Sequence, residues 1–162
     1  MPDWITHLAV AWTLCMILGL KYKQFNASNT LIVLIGALLP DIFKISLLSP
    51  IIGFDLTNIL IPIHLPIGSF IIAGMISLFF KEKKLIFLLL TLGFITHYCL
   101  DSLLLDVNGG MHVFYPFYWG QWQFGLISDV DYNISIITAI IALLVYFIIQ
   151  FIKKEANKIK DY

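Results

Sequence analysis

His97 and Asp101 stand four residues apart in "GFITHYCLD", residues 93 to 101. On a helix this spacing puts both side chains on one face, with Cβ atoms about 6 Å apart, close enough to grip one ion or two neighbouring ions. His7, Asp41 and His64 add the same donor types elsewhere in the chain. Imidazole and carboxylate suit zinc, manganese and iron, and a catalytic zinc commonly takes three protein ligands and leaves a position for water. The set His7, Asp41, His64, His97 and Asp101 therefore suffices for one metal plus a general base, with Asp41 or Asp101 as the base. It also suffices for two metals bridged by a carboxylate. Zinc is the first expectation for the ion, with manganese and iron as alternatives.

Each residue also has a plainer role. His7 can be interfacial, Asp41 after Pro40 a helix-end polar group, His64 between Pro62 and Pro66 a turn residue, and His97 with Asp101 a hydrogen-bonded couple. Asp3 and His112 are weaker metal candidates, because neither belongs to a clear helix face. Asp129 and Asp131 in "SDVDY" read as caps of the last helix. Cys99 lies two positions from His97 and so points to another face.

The elements that must position these groups are apolar. The chain has 162 residues, 60% hydrophobic and 12% charged, with a mean hydropathy of +0.92. This balance excludes an ordinary soluble domain. Apolar stretches cover roughly 4–20, 30–48, 62–80, 85–105 and 134–152, each close to the ~20 residues that cross a bilayer as helix. They are apolar on all sides, unlike the alternating strands of a membrane barrel. The expected fold is all-α, a polytopic membrane bundle of about five helices forming one domain over 1–162. The opening "MPDWITH" lacks the basic region of a signal peptide, so the first stretch reads as a span. Cys15 and Cys99 fall within apolar helix and read as small hydrophobes.

Charge sets the expected orientation. Lys21, Lys23, Lys81, Lys83, Lys84, Lys153, Lys154, Lys158 and Lys160 fall on one side of such a bundle, with Lys44 as the exception. The positive-inside rule then puts the N-terminus outside and the C-terminus in the cytoplasm, in a multi-pass protein of the cell (plasma) membrane. Counting 1.5 Å per residue from those lysines, His7, Asp41, His64, His97 and Asp101 lie roughly 20 to 27 Å away, at one outer level. The outer connection 106–133 holds "MHVFYPFYWGQWQFG", an aromatic set suited to the membrane boundary as an anchor or as a wall for a lipid substrate. No arginine and no basic stripe are present, so nucleic acid is not an expected partner. Nothing in the sequence fixes an oligomeric state.

The stretches "PDWITH", "GALLPD", "IHLPIGS", "GFITHYCLD" and "YPF" resemble, in this order, the YdjM-type membrane-bound metal-dependent hydrolases. The resemblance spans nearly the whole chain. It implies a metal-dependent hydrolase, with the family's conserved positions falling on His7, Asp41, His64, His97 and Asp101. Many bacterial members have a third motif resembling H-R-G-x-T-H-S; here Leu65 stands at the arginine and Ser69 at the second histidine, as in an archaeal-like branch. That departure removes a possible ligand and a possible phosphate clamp, and leaves Ser69, Ala73 and Ser77 as a small-residue packing stripe. Two functions follow as expectations. One is hydrolysis of an ester or phosphoester of a lipid or lipid-linked substrate at the outer face. The other is a non-catalytic metal-binding or ion-transport protein; of these, the apolar inner halves of the spans disfavour a transport path.

Overall fold

In a computed structural model, residues 4–42, 53, 62–105, 110–128 and 133–160 are described. Asp3, Lys44, Asp129 and Asp131, and with them the expected caps of the last helix, lie outside those residues.

The architecture is helical. Helix α1 (Trp4–Leu18) ends in turns that lead to α2 (Ala27–Leu38). Helix α2 starts earlier than the apolar stretch implies because Asn26 caps it: its Oδ1 accepts the Asn29 N–H at 2.9 Å, satisfying one of the donors a helix start leaves over. A tighter 3₁₀ turn carries the chain on through Pro40 and Asp41. A separate helical turn at 62–64 precedes α3 (Pro66–Ser77), whose first position suits proline because its missing N–H would be unused there. Helix α4 (Lys83–Leu103) and helix α5 (Asn133–Lys160) complete the set.

Helix α4 is the centre of the packing, touching α1, α2 and α3, while α5 lies against α1. The seam between α2 and α4 is made by two glycines. A Cβ on Gly36 would sit 2.5 Å from the Leu90 carbonyl oxygen, and one on Gly93 would strike the Val33 carbonyl. Backbones this close gain dispersion contacts that larger residues would forbid. Around the seam lie two buried apolar groups, Ala11, Cys15, Val33, Ala37 and Leu89 on one side and Ala73, Ile86, Leu90 and Phe94 on the other. The buried residues of α3 are Ser69, Ala73 and Ser77, the stripe expected from their spacing.

The last carbonyls of α4 have no partner within the helix, and the aromatic connection supplies donors. Phe124 N–H reaches Ser102 O at 2.6 Å and Leu126 N–H reaches Leu103 O at 2.8 Å. A two-residue parallel ladder, Leu104–Leu105 with Ile127–Ser128, continues this tie. Met111 and Trp122 exchange backbone bonds within the connection. The connection is thus tied to the end of α4 just past Asp101, with Phe117, Trp119 and Tyr118 largely exposed.

Helix α4 and residues 133–155 of α5 are long and apolar enough to cross a membrane; α1, α2 and α3 are apolar but shorter, at 15, 12 and 12 residues.

Candidate metal centre

The five candidate side chains meet. His7 comes from α1, Asp41 from the turn after α2, His64 from the turn before α3, and His97 with Asp101 from α4. His97 Nε2 is 3.1 Å from Asp101 Oδ2 and 3.9 Å from Asp41 Oδ1. His7 Nε2 is 3.5 Å from Asp101 Oδ1 and 4.0 Å from Asp41 Oδ2, and His64 Nε2 is 3.7 Å from Asp101 Oδ2. Ligands bound at about 2.0 to 2.2 Å are themselves about 3 to 4 Å apart, so these separations suit atoms arranged around an ion. One ligand atom each from His7, His97 and Asp101 lie within 4.8 Å of one another, as do those of Asp41, His64 and His97. His7, His97 and Asp41 are fully buried, and only the His64 side chain, 18% exposed, reaches the surface.

Second contacts set the direction of the rings. The His97 Nδ1 donates to the Ala37 carbonyl at 2.8 Å, and the His64 Nδ1 faces the Pro40 carbonyl at 3.3 Å. A carbonyl can only accept, so Nδ1 carries a hydrogen, and in a neutral ring Nε2 is then a bare lone pair turned toward the carboxylates. Acceptor then faces acceptor. His7 Nδ1 and Nε2, His97 Nε2 and both oxygens of Asp101 are buried without a hydrogen bond. Leaving so many buried polar atoms unsatisfied costs several kcal/mol, on the order of 1 to 3 for each group, unless a cation sits among them.

The cation can be a proton or a metal, and ring geometry favours the metal. The rings of His7 and His97 stack at 4.0 Å between centroids, and His64 meets His97 edge-on at 5.6 Å. Protonating more than one ring would place like charges at that separation in a site shut off from water. One divalent ion balances two carboxylates and leaves all three imidazoles neutral, which is their ligating form. The donor set therefore fits a divalent metal.

Three supports were not legible in the sequence. Gly68 has no Cβ to strike the Pro62 carbonyl, so the 62–64 turn folds back onto α3. Ser69 Oγ donates to the Ile63 carbonyl at 2.7 Å and accepts from the Tyr98 hydroxyl at 2.6 Å, tying the His64 turn to α4. Helix α4 meets α2 at Gly93, about one turn before His97, which sets the His97 ring against the Ala37 carbonyl. Glycines in apolar helices are the one signal that could have pointed to that seam.

His112 does not join the cluster. It lies in the aromatic connection, where its Nδ1 donates to the Trp119 carbonyl at 2.9 Å. Cys99 is exposed while His97 is buried, as the two-residue offset requires. No family model, no curated protein and no solved structure matches the chain.

Proposed function

We propose that this is a multi-pass protein of the cell membrane that hydrolyses an ester or phosphoester of a lipid or lipid-linked substrate at the outer face, using a divalent metal held by His7, His64, His97 and the two aspartates. The observation that carries the proposal is the buried convergence of three imidazoles and two carboxylates whose lone pairs face one another. All five crossings belong to the proposal, with the two long helices supporting it by length and the shorter apolar ones by composition. So does the orientation, which rests on the lysines lying opposite the cluster.

A divalent metal supplies, when bound, a lower pKa for water and a positive charge opposite a polarised ester oxygen. The chain's own residues do the rest. His64 and His97 present Nε2 because backbone carbonyls hold Nδ1. Asp101, with oxygens 3.1 to 3.7 Å from the Nε2 atoms of all three histidines, would be the ligand carboxylate common to them, and Asp41, 3.9 and 4.0 Å from two of them, the one to accept a proton from attacking water. His64, the least buried of the five, marks the open side. The aromatic residues tied to the end of α4 would hold a headgroup at that side.

The second reading is a non-catalytic metal-binding or transport protein, of which transport requires polar groups continuing along the bundle. Below the cluster the described core is mostly apolar, with Ala11, Val33, Leu89, Leu90 and Phe94 around the lone thiol of Cys15, and among the described residues it buries no further imidazole or carboxylate to continue an ion path. A screen of lipid extracts with wild-type and His97→Ala protein side by side tests the proposal. The expected result is a product formed by wild type alone, abolished by chelation and restored by added metal. Equal product from both proteins would overturn the enzyme reading in favour of a metal-binding bundle.

A further inference from the structure

A second cavity, of about 380 Å³, lies at the end of α1 and α2 away from the metal cluster. Along α1 it runs from Trp12 to Gly19, just past the helix end, five to twelve residues beyond His7, so it lies about 8 to 18 Å from His7 along the helix. Its size is that of a small-molecule site. Trp12, Met16, Phe25, Leu34 and Ile149 make the apolar part of the wall. Polar groups come from Asn26, Gln150 and Lys153.

The charge on this cavity is one-sided. Among the described residues, Lys153 is the one charged residue that lines it, and no carboxylate does. The first turn of α2, at Asn26, Ala27 and Thr30, also lines it and adds the partial positive charge of a helix start. A solvent-borne anion would need little of the apolar wall, and an apolar molecule would leave Lys153 unused. The combination matches an amphiphile with an anionic head. The cavity also opens among lipid-facing residues: Leu31, part of its wall, is 60% exposed, and Phe151 and Ile152 beside Lys153 are 65% and 49% exposed. Its level is that of Lys21 and Lys23, in the connection between α1 and α2. Basic cavities between membrane helices on the cytoplasmic side are places where anionic headgroups bind.

We infer that the cavity between α1, α2 and α5 binds an anionic phospholipid of the cytoplasmic leaflet, with its headgroup at Lys153 and an acyl chain against Trp12 and Ile149. The inference rests on the membrane placement of the chain and not on the metal or on hydrolysis. The test uses full-length protein in detergent, with dioleoylphosphatidylglycerol and dioleoylphosphatidylcholine compared by native mass spectrometry. Wild type is expected to retain one phosphatidylglycerol about fivefold better than phosphatidylcholine, the preference one lysine near a headgroup confers. Lys153→Gln is expected to lose the preference, and Lys83→Gln, in a different connection, to keep it. In nanodiscs, brominated phosphatidylglycerol should quench wild-type fluorescence more than that of Trp12→Phe. Equal retention of the two lipids by wild type, or an unchanged preference in Lys153→Gln, overturns the inference. Metal content measured on the same preparations separates this outcome from the fate of the metal centre.

Discussion

Helices α4 and α5 are both long and apolar enough to cross a membrane, yet 50% of the apolar stretch of α4 is buried in the bundle against 11% of that of α5. Helix α4 turns Gly93, Phe94, Thr96, His97 and Asp101 inward. Helix α5 buries Ala142 and Ile149 and shows Ile136, Ile140, Leu144, Phe147 and Phe151 to its surroundings. The more uniformly apolar helix is therefore the peripheral one. Polar groups lower the apolarity of α4, and they lie on its buried face, against the neighbouring helices.

The contrast can be broken first at the seam. Gly93→Leu drives a side chain into the Val33 carbonyl and the Ala37 backbone of α2, so it is expected to lower stability by about 3 kcal/mol or more, beyond ordinary overpacking because backbone cannot rotate away. Thermal unfolding in detergent reads it, and an unchanged midpoint would mean the helices are not in contact there. Asp101→Asn comes next. It removes the carboxylate that faces all three histidines and should weaken metal binding more than 100-fold in a chelator competition, with helix content by circular dichroism unchanged. Affinity within a few-fold of wild type would remove Asp101 from the site.

Ser69→Ala sharpens the comparison by acting at one remove. Without the Ser69 hydroxyl the Ile63 carbonyl and Tyr98 lose their shared partner, and metal affinity is expected to fall about 10-fold, the lower end for groups that orient a ligand. A loss as large as that of Asp101→Asn would show that Ser69 is itself a ligand. The smallest effect belongs to α5: Ile140→Ala, on its exposed face, should change stability by no more than about 0.5 kcal/mol. A larger loss would reveal a covering partner on that helix.

The level of the ligands was readable because polar groups are so few. In a chain this apolar, His7, Asp41, His64, His97 and Asp101 stand out, and counting helix rise from the lysines put them at a common height. Height is all that counting provides. Rotation about each helix axis decides whether side chains meet; the small-residue stripe of Ser69, Ala73 and Ser77 showed which way α3 turns, but α1 has no comparable pattern. The pairing of Tyr98 with Ser69, the closure of Gly68 on Pro62 and the Gly36–Gly93 seam all depend on that rotation. The start of α2 was a different matter. Asn26, three residues before Asn29, carries a cap signal that the apolar run beginning near Thr30 obscured.

The central claim is that this buried group of imidazoles and carboxylates exists to hold a metal. Elemental analysis of detergent-purified wild type beside His97→Ala tests it most directly, because His97 alone belongs to both ligand groups. The expected result is one or two equivalents of zinc, manganese or iron in wild type and a near-total loss in His97→Ala with helix content retained. Wild type free of metal after purification in metal-replete medium, or the same content in both proteins, would contradict it.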